Sequence, residues 1–165
     1  GGMAYITDIN HAMLQAGRGR RDLQRIAGRL SWCVANAESL PFDDPIADFV
    51  TIAFGLRNVT DRQAALNEAY RILKPGGRFL CLEFSHVQNR PLARLYQSWS
   101  FNVLPLMGQV IAGDEDSYRY LAESIRTFPA KEALADMFAQ AGFAQIRLRS
   151  LSAGIACIHS GWKLD

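Results

Sequence analysis

The stretch that decides the fold is ADFVTIAFGLRNVTDRQAALNEAYRILKPGGRFLCLEF, residues 47–84. It opens with a near-continuous apolar run over 47–54, which is typical of a strand buried on both faces of a parallel sheet. After Thr60, a predicted N-cap, residues 64–73 have helical spacing that stops at a Pro-Gly-Gly turn. A further apolar run, 78–84, predicts the next strand. Strand, helix and strand in this order predict a parallel pair with a helical crossover.

The flanking sequence extends the same alternation. Upstream, residues 4–9 predict a strand that ends around Asp8, Asn10 can cap the helix that follows, and residues 30–35 predict a second strand. Downstream, the patterns predict an aromatic-rich helical insertion or lid over 91–128 and an amphipathic helix over 131–141. Two further runs, 143–151 and 155–159, predict a terminal antiparallel hairpin. We therefore predict a single α/β domain over 1–165: a mostly parallel, doubly wound sheet with a C-terminal antiparallel hairpin and a helical insertion.

Length and charge restrict the possible functions. The chain has 165 residues, 49% hydrophobic and 21% charged, and a formal charge of +2. That charge is too small for binding nucleic acid by phosphate neutralisation. One local basic cluster exists, Arg18, Arg20, Arg21 and Arg25. It is read as a solvated helix face, or alternatively as a surface attracted to anionic lipid headgroups.

Cysteine usage and hydropathy give the expected compartment. The three cysteines lack a C-x-x-C spacing and lie in apolar runs, so we expect buried free thiols in a reducing compartment and no metal site. No apolar run approaches the roughly 18 residues of a membrane-spanning helix, and no signal pattern opens the chain. We expect a cytoplasmic protein, at most peripheral to a membrane.

Polar residues at the ends of the predicted strands are the candidate binding residues, because ligands of open parallel sheets bind at the carboxyl ends of the strands. Asp8 can accept hydrogen bonds from ribose hydroxyls, or serve only as a cap or turn residue. Asn36 and Ala37 can receive an adenine ring, or belong to an ordinary polar loop. Arg57 and Asn58 offer donors to a cleft, unless Arg57 merely pairs with a surface carboxylate.

Several longer motifs resemble one family, the ubiquinone/menaquinone biosynthesis C-methyltransferases of the UbiE type, which are class I, Rossmann-like methyltransferases dependent on S-adenosylmethionine. The resemblance covers essentially the whole chain. L-K-P-G-G alone marks class I methyltransferases in general, whereas G-L-R-N-V-T and S-Y-R-Y-L-A-E-S-I-R are specific to the family. The matching motifs are T-D-I-N at 7–10, A-N-A-E-S-L-P-F at 35–42, F-G-L-R-N-V-T at 54–60, L-K-P-G-G-R-F at 73–79, D-S-Y-R-Y-L-A-E-S-I-R at 116–126 and H-S-G-W-K at 159–163.

The resemblance implies a cofactor site for S-adenosylmethionine. It assigns Asp8 to the ribose hydroxyls, Asn36 and Ala37 to the adenine region, and position 53 to a further contact. The family often has Ser at that position, so Ala53 can contribute only through its backbone. The family's first strand and glycine-rich turn would precede Gly1, which implies an empty central strand position, either in part of a longer protein or in a truncated product.

The resemblance also implies the reaction, transfer of a methyl group to a ring carbon of a polyprenylated quinol. Arg57 would stabilise the developing oxyanion and Asn58 would orient a hydroxyl. The proton would go to a base or relay drawn from His159, Asp114, Asp116 and Tyr118. The implied partners are the quinol, a second copy of the chain in a homodimer or a biosynthetic complex, and the membrane surface at a peripheral contact. Residues 95–120 can hold the isoprenoid chain of the quinol.

Two other functions compete with this interpretation. A catalytically silent scaffold of a quinone-biosynthesis assembly would fit the missing glycine-rich segment, although the intact G-L-R-N motif argues against it. A nicotinamide-dependent oxidoreductase shares the acidic strand end at Asp8. L-K-P-G-G and the terminal hairpin fit a methyltransferase better.

Overall fold

A computed structural model describes residues 2–43, 45–85 and 115–165, with side chains in the last range from residue 119 onward. The predicted insertion therefore lies outside the described residues up to position 114. The elements, in chain order, are β1 Ala4–Asp8, α1 His11–Arg18, a 3₁₀ helix Arg21–Arg29, β2 Leu30–Val34, β3 Ala47–Ala53, a 3₁₀ turn Leu56–Asn58, α2 Arg62–Ile72, β4 Leu73–Phe84, α3 Glu115–Thr127, α4 Lys131–Gln140, β5 Ala144–Leu151, a 3₁₀ turn Ser152–Gly154 and β6 Ala156–Trp162.

The two predicted helix caps had different outcomes. Asn10 caps α1 as predicted, since its side-chain oxygen accepts a hydrogen bond from the Ala12 N–H at 2.9 Å. Thr60 was wrong as the cap of α2. Asp61 takes that position, with extended backbone and a carboxylate oxygen that accepts from the Ala64 N–H at 2.9 Å. A carboxylate one residue later satisfies a free amide of the first turn equally well, so the pattern alone could not choose.

The Pro-Gly-Gly turn, predicted to end the helix, lies inside β4. The strand begins at Leu73, whereas the apolar run that predicted it begins at residue 78. The register changes from Ala47 opposite Leu73 to Phe49 opposite Arg78, and the extra residues form a bulge. Gly76 has φ +77, and a Cβ on Gly77 would lie 2.7 Å from the Lys74 carbonyl oxygen. Only glycine fits this bulge without strain.

The strands form two sheets among the described residues. β1 and β2 pair in parallel, and a four-stranded sheet has the order β3-β4-β6-β5. Within it β3 and β4 are parallel, while β6 runs antiparallel to both β4 and β5, which confirms the predicted terminal hairpin. No backbone hydrogen bonds pair β1 with β3. Each therefore has one edge unpaired by any described strand.

β3 is not buried on both faces as the sequence predicted. Val50 and Ile52 are half-buried against the core, but Phe49 is 66% exposed, and Thr51 and Ala53 are exposed as well. The strand lies at the edge of its sheet, and only one of its faces packs on described helices. A continuous apolar run cannot by itself distinguish this arrangement from a central strand.

The main core fills the space between the four-stranded sheet and helices α2 and α4. Three aromatic rings form its centre, with centroids 5.2–5.5 Å apart: Phe79, Phe138 and Phe143. Gly161 on β6 is what lets them approach, because a Cβ there would lie 2.7 Å from that of Phe143. This packing fixes β4 and β6 relative to α4.

The remaining expectations concern thiols and membranes. All three cysteines are free; Cys81 and Cys157 are buried, and burial raises the pKa of both thiols. Both therefore stay protonated and unreactive. No helix in the described part of the chain is long and apolar enough to cross a bilayer.

Candidate functional site

A cavity of about 530 Å³ opens where β1, β2 and β3 end. It lies between the two sheets, since Thr7 of β1 and Thr51 of β3 both line it. Five of the six predicted site residues share its wall: Asp8, Asn36, Ala37, Ala53 and Asn58. The sixth, Arg57, does not line the cavity.

Asp8 is held at the end of β1 by the loop that it begins. Its Oδ1 accepts a hydrogen bond from the Asn10 N–H at 2.7 Å, and the Asp8 carbonyl oxygen accepts one from the Ala35 N–H at 3.1 Å. Its Oδ2 accepts none from the described residues. The loop thus orients the carboxylate and leaves one oxygen available to a ligand.

The loop after β2 is joined to the amino end of α2 by one carboxylate. Asn36 Oδ1 accepts from the Glu38 N–H at 3.0 Å, which closes a tight turn around Ala37. Glu38 Oε1 in turn accepts from the Thr60 and Asp61 N–H groups at 3.0 and 3.1 Å. Glu38 also lines the cavity, so the wall that carries Asn36 is tied to the wall that carries Asn58.

The outer part of the same loop is tied to the flank of α2. Arg71 donates to the carbonyl oxygens of Leu40 and Phe42 at 3.1 and 2.8 Å, and Glu68 accepts from the Leu40 N–H at 2.7 Å. Hydrogen bonds from Arg71 hold the pKa of Glu68 below its usual range, so Glu68 stays ionised and paired. The loop over residues 40–42 is thereby fixed, and Leu40 lines the cavity.

Arg57 does not line the cavity, and its guanidinium packs against the end of β4. Its Nη1 lies 3.3 Å from Glu83 Oε2 and also donates to the Phe54 carbonyl oxygen. Phe54 has φ +54, a strained conformation for a bulky residue, and this hydrogen bond helps to hold it. The guanidinium lies over the Phe84 ring, 5.5 Å from its centroid. Arg57 does pair with a carboxylate, then, but with a buried one rather than a surface one.

Asn58 faces the cavity and is held from α3. Tyr120 donates its hydroxyl hydrogen to Asn58 Oδ1 at 3.2 Å. Arg62, at the start of α2, donates from Nη2 to the Arg57 carbonyl oxygen at 3.2 Å and lies over the Phe128 ring. The 3₁₀ turn that carries Arg57 and Asn58 is therefore fixed by α2, by α3 and by β4.

Glu83 was not among the site residues predicted from the sequence. Its signal was present in RFLCLEF at 78–84, where Phe79, Cys81 and Glu83 alternate onto one face of β4. A carboxylate in phase with core residues predicts a buried partner, because an unpaired buried charge is too costly to keep. Only the fold shows that the partner is Arg57, 26 residues earlier in the chain.

Of the predicted bases, the structure describes the side chain of His159 alone. It is 2% exposed in the core, where its Nε2 donates to the Lys131 carbonyl oxygen at 2.9 Å, and it does not line the cavity. As a base for this cavity His159 is therefore wrong. Asp114 and the side chains of Asp116 and Tyr118 lie outside the described parts of the chain. Within those parts, no three His, Cys, Asp or Glu side chains cluster in a way that could hold a metal ion.

The fold is that of the class I methyltransferases. A solved SAM-dependent methyltransferase of Thermotoga maritima, described as a possible histamine N-methyltransferase, superposes with a TM-score of 0.66 at 21% identity, over 96% of this chain and 72% of that one. At that identity the likeness shows the fold alone.

The chain belongs to the ubiE/COQ5 methyltransferase family, whose model matches residues 1–163. It is 52% identical over 164 residues to the ubiquinone/menaquinone biosynthesis C-methyltransferase UbiE of Cereibacter sphaeroides, and 52% identical over 164 residues to the human mitochondrial 2-methoxy-6-polyprenyl-1,4-benzoquinol methylase. These matches cover 99% of this chain, but only 66% of the bacterial relative and 50% of the human one.

Proposed function

We propose that the protein transfers a methyl group from S-adenosylmethionine to a ring carbon of a polyprenylated quinol, either a benzoquinol or a demethylmenaquinol. The observation that carries the proposal is that Asp8, Asn36, Ala37 and Ala53, far apart in sequence, line one cavity together with Asn58.

The donor set of the cavity fits the cofactor. Asp8 Oδ2 accepts no hydrogen bond from the described residues and can take one from a ribose hydroxyl. The side-chain amide of Asn36 is exposed beside Ala37, whose small side chain leaves space for a flat ring. Ala53 adds no polar side-chain atom, so a contact there uses backbone. These residues support binding of the adenosine portion.

The 3₁₀ turn Leu56–Asn58 forms the side of the site that would bind the quinol, the methyl acceptor. S-adenosylmethionine, when bound, supplies an electrophilic methyl group on its sulfonium. A quinol ring carbon becomes a good nucleophile only when a neighbouring hydroxyl loses its proton, so the site must favour the phenolate. Arg57 Nε is buried and has no hydrogen-bond partner among the described residues, which makes it a free charged donor for that oxygen. Asn58 can orient the hydroxyl from the cavity wall.

A long apolar tail would bring the substrate to the protein at a membrane surface. In the basic cluster, Arg18 ends α1, Arg20 directly precedes the 3₁₀ helix, and Arg21 and Arg25 lie on that helix. None of the residues of the 3₁₀ helix is buried. Such a surface suits anionic headgroups. We therefore propose a peripheral contact with the membrane. We also propose self-association or assembly with other biosynthetic proteins.

The test is methyl transfer from radiolabelled S-adenosylmethionine to short-tailed benzoquinol and demethylmenaquinol substrates. We expect labelled product with one or both. Calorimetry with S-adenosylmethionine and with NADH tests the competing functions: binding of the first without transfer would favour the silent scaffold, and binding of NADH alone would favour the oxidoreductase.

Arg57→Lys tests the acceptor side. Lysine keeps the charge but supplies a single point donor instead of the planar fork of arginine, so we expect turnover to fall about 10–100-fold. The dissociation constant for S-adenosylmethionine should change less than about twofold, since Arg57 does not line the cofactor cavity. A loss of cofactor affinity equal to the loss of turnover would move Arg57 to the cofactor side.

A further inference from the structure

Glu83 is a carboxylate buried where the sheet should be apolar. Its side chain is 1% exposed and lies on the face of β4 that also carries Phe79 and Cys81, both in the main core. Removing a carboxylate from water is costly unless its oxygens are well bonded. Hydrophobic residues of similar volume stabilise such a position at least as well, so stability alone does not explain a glutamate there.

The Glu83 carboxylate accepts hydrogen bonds from Arg57 and from the next residue of its own strand. Oε1 accepts from the Arg57 backbone N–H at 3.1 Å. Oε2 accepts from Arg57 Nη1 at 3.3 Å and from the Phe84 N–H at 3.2 Å. Both oxygens are engaged and neither faces the cavity, so Glu83 is badly placed to take a proton from a substrate.

The result is an arginine held at three points. Glu83 binds its backbone N–H and its Nη1, while Arg62 binds its carbonyl oxygen. Arg57 Nε is left buried and unpartnered among the described residues. Because Nη1 is fixed, the rigid guanidinium plane is fixed, and with it the direction of the Nε–H bond.

We propose that Glu83 is a positioning residue that aims the Nε–H of Arg57 at the substrate oxygen. The catalytic part of this inference rests on the proposed function, whereas the aiming of Arg57 does not. Glu83 acts through Arg57 and touches neither substrate. It also balances the guanidinium charge, which lets Arg57 remain buried before a substrate arrives.

The aiming is tested without catalysis by hydrogen exchange of the arginine Nε–H groups, followed by NMR. The Arg57 signal is the one missing from Arg57→Lys. In Glu83→Gln, which keeps the shape of the side chain, we expect this signal to be lost or to exchange at least about tenfold faster. Asp48→Asn is the matched control, because Asp48 pairs with Lys74 at the opposite end of β3 and β4; there the signal should not change. Unchanged Arg57 exchange in a folded Glu83→Gln would overturn the proposal.

The catalytic part is tested by a double-mutant cycle on methyl transfer. Glu83→Gln should lower kcat about 100-fold and leave KM for S-adenosylmethionine unchanged, as expected when a catalytic group is misdirected. In the Arg57→Lys background the same change should cost less than about twofold, because Glu83 has no other route to the reaction. Equal losses in both backgrounds would mean that Glu83 acts only on the fold.

Two complications, a variant that does not fold and a wild-type chain without activity, are each resolved by a further measurement. If Glu83→Gln does not fold, as judged by its melting temperature, Glu83→Asp replaces it, since it keeps the charge and shortens the reach by one methylene. If the wild-type chain transfers no methyl group to either quinol, the proposed function fails, and the exchange measurement still decides whether Glu83 aims Arg57.

Discussion

One oxygen of the Asp8 carboxylate is hydrogen-bonded to its own loop, and the other accepts no hydrogen bond from the residues that the structure describes, so it is available to a ligand. Asp8→Asn keeps its size but replaces a charged acceptor by an amide. Losing a hydrogen bond to a charged group costs about 1.5–3 kcal/mol, so we expect S-adenosylmethionine to bind roughly 10–100-fold more weakly. Titration calorimetry measures this. Asp136→Asn, on the exposed side of α4, is the control, and equal affinities in both variants would exclude Asp8 from the site.

His159 predicts how stability depends on pH. Burial lowers the pKa of His159; the contact with the Lys131 carbonyl and the charge of Glu132 act against this, and the Lys131 charge acts with it. The unfolded chain therefore binds a proton near pH 6.5 while the folded chain does not, and stability falls as the pH drops through 6.5 toward the lower, folded pKa. The slope from this residue is at most about 1.4 kcal/mol per pH unit.

Urea titrations at pH 7.5 and 5.5 test this slope. His159→Gln should flatten it, because glutamine gains no proton in either state. His11→Gln, at the exposed start of α1, should leave the slope as in the wild type. Equal slopes in all three proteins would show that another group controls the acid sensitivity.

At the scale of the elements, the junction of β5, β6 and α4 depends on Gly161. Its missing Cβ would lie 2.7 Å from the Phe143 Cβ and 3.3 Å from Phe138 Cδ1, so Gly161→Ala should cost about 1–3 kcal/mol in the free energy of unfolding. A Cβ at Gly28 would meet nothing within 4 Å, and Gly28→Ala should change stability by less than about 0.5 kcal/mol. Comparable losses in the two variants would mean that the hairpin can shift to accept the methyl group.

The elements that the sequence predicted well are those with a strong period and an unambiguous end. The terminal hairpin and the helix after Asn10 belong to this group. β4 was predicted too short because a Pro-Gly-Gly stretch normally ends an element, and only the register with Ala47 and Phe49 shows it as a bulge. The contact of Arg57 with Glu83 was unpredictable from local pattern, since it depends on which residues of β3 and β4 lie side by side.

At the scale of the whole molecule, β1 and β3 each have one edge that no other described strand pairs. Exposed apolar side chains accompany these strands, including Tyr5 of β1 and Phe49 of β3. Unpaired edges favour pairing with other chains, so we expect this chain to associate. Light scattering measures this, and a monomeric chain would contradict it.

Glu38 connects the two ends of the cavity, so that ordering of one end affects the other. It belongs to the loop proposed to receive adenine, yet it holds the Thr60 and Asp61 amides just beyond Asn58, on the side proposed for the quinol. A ligand that orders one end therefore orders part of the other in advance. Such linkage is reciprocal: the factor by which the cofactor raises affinity for the acceptor equals the factor by which the acceptor raises affinity for the cofactor. We expect the two substrates to bind cooperatively, with much of that cooperativity residing in a single carboxylate.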